Sequence, residues 1–189
     1  MREKYEIEDL KDSEKNMYAV FRLKNVEQLN YKRFLTLWEL DQMDLIPVLS
    51  EYEGILINEI HPENVFFGTI HAGVTWNGEE FQKKLGVPVF VSDILAIQIK
   101  GKTSYYYMDS DCIKELVNLE NPIVKVSGYQ CHLVDLWEKG EDLFLLGSHT
   151  APEGEVFYYA LTARFELEYD HKPERTEVEE DHYREIVRR

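Results

Sequence analysis

The sequence predicts an α+β fold: a mostly antiparallel sheet with a central β-hairpin and a few short helices packed on it. Three observations carry that prediction. In residues 87–109, VPVFVSDILAIQIKGKTSYYYMD, Val89, Val91, Leu95, Ile97 and Ile99 recur at a period of two, while Ser92, Ala96 and Gln98 fall on the other face, as in a strand with one buried side. Lys100-Gly101 then supplies the left-handed backbone that a tight hairpin turn needs, and residues 103–109 return as an aromatic, β-favouring arm. Finally, 189 residues with 44% hydrophobic and 13% aromatic content suffice for a real core, and no apolar run reaches the roughly 18 residues of a membrane-spanning helix.

With Lys100 and Gly101 as the loop, Leu95 lies opposite Tyr106, Ile97 opposite Ser104, and Met108 faces Asp93. Asp93 is out of place in an apolar row, because a buried carboxylate without hydrogen bonds costs several kcal/mol. Either it is a functional carboxylate, or Ser92-Asp93 caps a bulge or binds nearby backbone amides, the reading preferred from the habits of Ser and Asp.

Taken in order, residues 1–16 read as a polar lead-in and residues 17–23 as a strand. Thr36-Leu37-Trp38-Glu39 is a capping box that opens a helix ending before Pro47, with Leu37, Leu40 and Met43 as its apolar stripe. Trp38 is read as a core or groove-lining ring. Residues 52–60 form a second strand. Residues 61–86 contain turns at His61-Pro62 and Asn77-Gly78 and a helical turn over 79–85 that stops at Gly86. After the hairpin, Asp111 caps a short helix through Leu119, and residues 123–127 return as a strand.

The character changes at Gly128, which divides the chain into a lead-in (1–16), an α+β domain (17–127) and a β-rich extension ending in a charged helix (128–189). Leu133, Leu136 and Trp137 have helical spacing with Gly140 as a stop. Residues 157–169 alternate over a length that suits one strand or two bent halves. Thr176-Glu177-Val178-Glu179 repeats the capping box before a helix with little to bury. Residues 128–170 hold too little apolar content for a second core and are expected to pack on or extend the first sheet.

Charge narrows the function classes. The net charge of -15, from 21 basic and 36 acidic residues, argues against direct binding to nucleic acid or an anionic membrane, both of which need Lys and Arg clusters. From Phe34 to Gln82 there is no Lys or Arg, while Glu39, Asp41, Asp44, Glu51, Glu53, Glu59, Glu63, Glu79 and Glu80 are acidic. Such a block either mimics the charge of DNA or is the solvated face of an acidic protein. The six carboxylates from Glu39 to Glu59 are expected to scatter over at least two faces. Two cysteines, Cys112 and Cys131, form no disulfide framework, and the charged N-terminus has no apolar signal core, so a cytoplasmic protein with free thiols is expected.

The search for chemistry yields no catalytic, cofactor-binding or metal residues. Gly68 to Thr75 has the glycine spacing of a phosphate-binding loop, but Val74 stands where the lysine belongs. Asp109-Ser110-Asp111 suits a strand exit followed by a helix cap better than a cation site. The six histidines have no metal-site spacing, and adjacent Cys131 and His132 point apart in a strand.

Residues 17–119 nevertheless carry a likeness. The strand MYAVFRL, then RFLTLWELDQMDL, YEGILINEI and VFVSDILAIQIKGKTSYYYMDSDCIKEL resemble the YodL-like domain, whose hydrophobic Ser-Val-Ser-Asp strand, Gly-Lys turn and Tyr-Tyr-x-Asp strand are matched by Phe90 to Asp93 and Tyr106 to Asp109. Phe90 replaces the first serine, Cys112-Ile113 replaces the usual Gly-Phe, and residues 65–83 make a longer linker. The resemblance implies a small α+β domain of Gram-positive bacteria and their mobile elements, with no established catalytic activity.

Three function classes follow: an accessory or regulatory protein that binds another protein, an acidic DNA-mimic inhibitor of a DNA-binding enzyme, and an enzyme whose first suspects are Asp93, Asp109, Asp111, Cys131 and His132. The first is preferred, with exposed aromatics expected at Tyr105, Tyr107 and Tyr158. Its candidate interaction surface is Trp38, Glu39, Asp41, Asp44, Glu51, Glu53, Asp93, Tyr105, Tyr107 and Asp109.

Overall fold

The structure, a computed structural model, describes residues 5–126 and 128–188. Residues 1–4 of the lead-in, Ser127 and Arg189 lie outside it. Its two antiparallel five-stranded sheets and short helices make an α+β fold. The chain divides into two compact units, one containing Val48–Leu116 and the chain up to Leu40, the other containing Asp41–Pro47 and the chain from Val117.

In the first unit, β1 (Met17–Leu23), β2 (Tyr52–Glu59), β3 (Ile94–Ile99), β4 (Lys102–Met108) and β5 (Ile113–Leu116) lie in the order β2-β1-β3-β4-β5. The hairpin of β3 and β4 has the expected register, Leu95 opposite Tyr106 and Ile97 opposite Ser104. Lys100 (φ 51°) and Gly101 (φ 75°) make the turn with two left-handed residues. The amide of Met108 donates to the carbonyl of Asp93 at 2.9 Å, which extends the pairing by one rung.

Two expectations for this hairpin fail. The first arm does not run as strand from Val89, because Ser92 at φ 77° breaks the extended backbone before Ile94. Nor is one face polar and wet: Ala96 and Gln98 are buried as fully as Leu95, since β3 is a central strand covered on both sides. The Gln98 amide is satisfied by donating to the carbonyl of Ser13 at 2.8 Å. The lead-in that supplies this carbonyl holds a short helix, α1 (Ile7–Lys11), whose Leu10 is fully buried, so it is part of the fold rather than a polar arm.

The capping box forms as read. Thr36 N–H donates to Glu39 Oε2 at 2.8 Å and Glu39 N–H to Thr36 Oγ1 at 3.2 Å, opening α2 (Leu37–Gln42). A third helix, α3 (Glu79–Leu85), ends at Gly86 in the left-handed conformation (φ 81°). Phe81 and Leu85 of α3 join Trp76, Phe67, Leu95 and Met108 in the first core. The helix expected after Asp111 is instead β5. Asp111 accepts the amide of Cys112 at 3.0 Å in a tight turn that brings Ile113 back opposite Met108.

The second unit holds β6 (Ile123–Val126), β7 (Tyr129–Lys139), β8 (Asp142–Thr150), β9 (Val156–Leu161) and β10 (Glu166–Tyr169), ordered β10-β9-β8-β7-β6, with α4 (Arg175–Arg188). This is a sheet of its own, so residues 128–170 do not extend the first sheet, and it begins at Ile123 rather than after Gly128. The supposed helix at 133–140 is part of β7. A bulge between Leu133 and Asp135 resets the strand's alternation and leaves Leu133, Leu136 and Trp137 at spacings that imitate a helix. The alternating run after 156 is two strands, β9 and β10, parted by a turn in which Thr162 Oγ1 accepts the amide of Phe165 at 3.1 Å.

A second core exists after all: Trp137, Phe144, Leu146, Ala160, Tyr169 and Val178. It was underestimated because α4, read as having little to bury, contributes a fully buried Val178 and a buried His182. The helix starts at Arg175, so Thr176 lies inside it rather than at its cap.

Polar contacts on one side fix α4 to the sheet. Arg175 donates to both carboxylate oxygens of Asp135 at 2.7 and 2.8 Å. Glu179 accepts the Trp137 indole N–H at 3.0 Å and pairs with Lys139. The Arg175 bond holds Asp135, and the Lys139 bond holds Glu179, below the usual carboxylate range. Groups with depressed folded values stabilise fully above their unfolded values and lose that contribution as pH falls through the folded ones. Amide exchange in α4 is therefore expected to accelerate below about pH 4. Protection that is flat from pH 6 to pH 3 would exclude this latch.

Candidate docking surface

Large apolar side chains left in solvent occur in both units, and in the first unit two of them meet. Tyr31, Phe34 and Trp38 are all more than half exposed (53%, 63% and 58%), and Phe90 is exposed at 46%. Phe34 and Phe90 meet edge to face with ring centroids 6.1 Å apart, although they stand 56 residues apart in sequence.

Beneath the rings, buried polar groups hold both loops. Phe34 N–H donates to Ser92 Oγ at 3.1 Å, and the Tyr107 hydroxyl donates to the carbonyl of Leu35 at 2.6 Å. Asp93 accepts Arg22 Nε at 2.9 Å, Arg22 Nη2 at 2.6 Å and the amide of Phe90 at 2.9 Å. The same Nη2 donates to the carbonyl of Pro88 at 2.9 Å, and the guanidinium lies 4.7 Å from the centre of the Phe90 ring.

Phe34 (φ 61°) and Ser92 (φ 77°) are both left-handed, a conformation that costs a side-chain-bearing residue about 1–2 kcal/mol. A phenylalanine that is strained and also wet gains nothing from its own burial. Neither propensity nor packing of the ring accounts for its position, which makes this the part of the structure that calls for a functional reading.

The residues chosen from sequence divide around this surface. Trp38 is exposed, not a core ring. Tyr105 and Tyr107 are buried, not exposed, because β4 is covered on both sides. Burial pushes both hydroxyls well above the ordinary tyrosine range. Tyr158 is half-buried. Asp93 and Asp109 are buried as well and are supports rather than contact residues. Asp93 binds the Phe90 amide and Arg22, while the Asp109 carboxylate accepts the amide of Ser110 and its carbonyl accepts the Trp76 indole N–H at 2.7 Å. Burial raises both carboxyls above their usual value.

Part of the acidic block is paired within the chain. Glu39 caps α2, Asp41 lies 3.2 Å from His149, Glu51 pairs with Lys32 at 2.6 Å and Glu59 with Lys15 at 2.7 Å. Glu53 is half-buried, while Asp44, Glu59, Glu63, Glu79 and Glu80 are exposed. The block looked one-sided because its cationic partners come from outside it.

Cys131 and His132 are neighbours in β7 and face opposite sides of the sheet. Burial pushes the Cys131 thiol up to about 11, the opposite of what a nucleophile needs, and lowers His132. Among the described residues no three His, Cys, Asp or Glu side chains are grouped to hold a metal ion, and no helix is long and apolar enough to cross a membrane.

The surface depends on residues the sequence reading passed over, Phe34 and Arg22, and on Phe90, noticed only as a departure from the family motif. No family model, curated protein or solved structure matches this chain. The molecule is an α+β protein that presents a pair of contacting, solvent-facing phenylalanines.

Proposed function

We propose that this is a non-enzymatic bacterial accessory or regulatory protein that acts by binding another protein, with Phe34 and Phe90 at the centre of its contact surface. The carrying observation is that the left-handed, solvent-exposed Phe34 is held by Ser92 and its neighbour Leu35 by Tyr107, while Asp93 and Arg22 hold Phe90. Aromatic side chains are the usual anchors of protein interfaces. Two cysteines without a disulfide suit a reducing cytoplasm, and the YodL-like resemblance points to Gram-positive bacteria and their mobile elements. Partners within the chain for four carboxylates of the acidic block weigh against the alternative, an acidic DNA-mimic inhibitor of a DNA-binding enzyme.

Phe34→Ala/Phe90→Ala tests the proposal. Both rings face solvent, so unfolding stability is expected to stay within about 1 kcal/mol of wild type. Capture of a protein from a Gram-positive lysate is expected to be lost. A variant that captures the same proteins as wild type would move the contact surface elsewhere.

A further inference from the structure

We infer that Asn77 is a site of spontaneous deamidation, a covalent change that needs no partner protein and does not depend on the docking role proposed above. The dipeptide Asn77-Gly78 is exposed and lies between the buried Trp76 and the start of α3. In such a pair the backbone nitrogen of Gly78 attacks the side-chain carbonyl carbon of Asn77. A bond from that nitrogen to Cγ forms as the Cγ–Nδ2 bond breaks; the Gly78 amide proton passes through solvent to Nδ2, which leaves as ammonia. Water then opens the five-membered imide at one of its two carbonyls. One opening gives aspartate, and the other gives an isoaspartyl link in which the main chain runs through the former side chain.

The chain has eight asparagines, and the structure sets Asn77 apart from the rest. Six of them, Asn16, Asn25, Asn58, Asn64, Asn118 and Asn121, have the side-chain amide tied down by a hydrogen bond. Asn30 is exposed, but it lies within a 3₁₀ helix (Glu27–Lys32), and its attacking nitrogen would belong to the bulky Tyr31. Among the described residues, neither the Asn77 side chain nor the Gly78 N–H has a hydrogen-bond partner. Both reacting groups are therefore unrestrained, and glycine puts no side chain in the way of ring closure.

Anchors on either side decide what the change does to the fold. The Trp76 indole N–H donates to the Asp109 carbonyl at 2.7 Å, and Phe81 of α3 is buried in the first core. The isoaspartyl product lengthens the main chain between these anchors by one methylene. That slack falls on the first turn of α3, whose cap, Gly78, makes no side-chain bond of its own. The aspartyl product leaves the backbone path as it was.

The test incubates the folded full chain at about pH 8, where the Gly78 nitrogen loses its proton more readily, and maps its peptides by mass spectrometry. A gain of about 1 Da is expected on the Asn77 peptide, resolved by chromatography into aspartyl and isoaspartyl forms, at a rate within about threefold of the same segment in urea-unfolded protein. Gly78→Ala fits the fold, since φ is -76° and a Cβ there meets nothing within 4 Å, and it is expected to slow the reaction about tenfold. Survival of Asn77 in the folded protein while the unfolded protein converts would overturn the inference, as would conversion concentrated at another asparagine or a Gly78→Ala rate equal to wild type. Amide exchange in α3 is expected to be faster in the purified isoaspartyl form than in Asn77→Asp, and equal protection would overturn the effect on the helix.

Discussion

Replacing Arg22 with alanine is expected to cost the first unit about 3–5 kcal/mol, a large share of the 5–15 kcal/mol that holds a typical domain together. The size follows from Asp93, whose side chain is only 2% exposed and whose two oxygens take Nε and Nη2 of Arg22. Removing the guanidinium leaves a buried carboxylate with one remaining amide donor, Phe90 N–H. The pH dependence gives the mechanism away. Burial already raises the Asp93 carboxyl above its ordinary value, and Arg22 is the chief influence pulling it down. In the variant the rise is larger. A group whose folded value is raised supports stability below its unfolded value and loses that support as pH rises through the folded value. The deficit of Arg22→Ala should therefore be smaller at pH 4 than at pH 7, as read by urea unfolding at both. Equal deficits would mean that the arginine acts through packing on Phe90 and not through the buried charge.

The parts of this fold that were legible in sequence are those whose cause is local. A two-residue turn between alternating arms names its own register, which is why Leu95 and Tyr106 could be paired in advance. A capping box closes within four residues, and a glycine at φ 81° stops α3 in the same self-contained way. β7 was misread because one bulged residue moves every later side chain to the other face, and alternation cannot register such an insertion. β5 was misread because Asp111 serves equally well in a turn or at a helix cap.

The candidate surface was legible only from below. Asp93 announced itself as a carboxylate in an apolar row, and the preferred alternative, that it binds nearby backbone amides, describes its bond to Phe90; Arg22 was not foreseen. Tyr105 and Tyr107 were assigned to the outside because an alternating strand shows which residues share a face but not what covers each face. No local pattern marks Phe34. Its exposure follows from a left-handed φ that is set by a hydrogen bond 58 residues away in sequence. Glu59 and Glu51 of the acidic block pair with Lys15 and Lys32 from outside the stretch, which a charge count along the sequence does not register.

In the second unit, Phe144→Ala is expected to cost about 3–5 kcal/mol and to free α4 from its sheet. Phe144 is fully buried, stacked on Trp137 at 5.1 Å with the rings 8° from parallel, and in edge contact with His182 of α4 at 5.3 Å. Its removal ends both ring contacts at once, and aromatic pairs contribute about 0.5–1.5 kcal/mol beyond the area they bury. The space cannot readily close. The floor is β8, bonded on both sides to β7 and β9, and the roof is a helix tied down by Arg175 and Glu179. A rigid floor and a pinned roof keep the cavity open, which places the cost at the upper end for an aromatic truncation. Phe165 meets the same His182 ring at 5.2 Å but is only half-buried, so Phe165→Ala should cost clearly less. Amide exchange in α4 and β8 measures both. A Phe144→Ala loss below about 1 kcal/mol would mean that α4 settles into the gap, and would make its polar latch to Asp135 and Lys139, rather than its aromatic seat, the principal attachment of the helix.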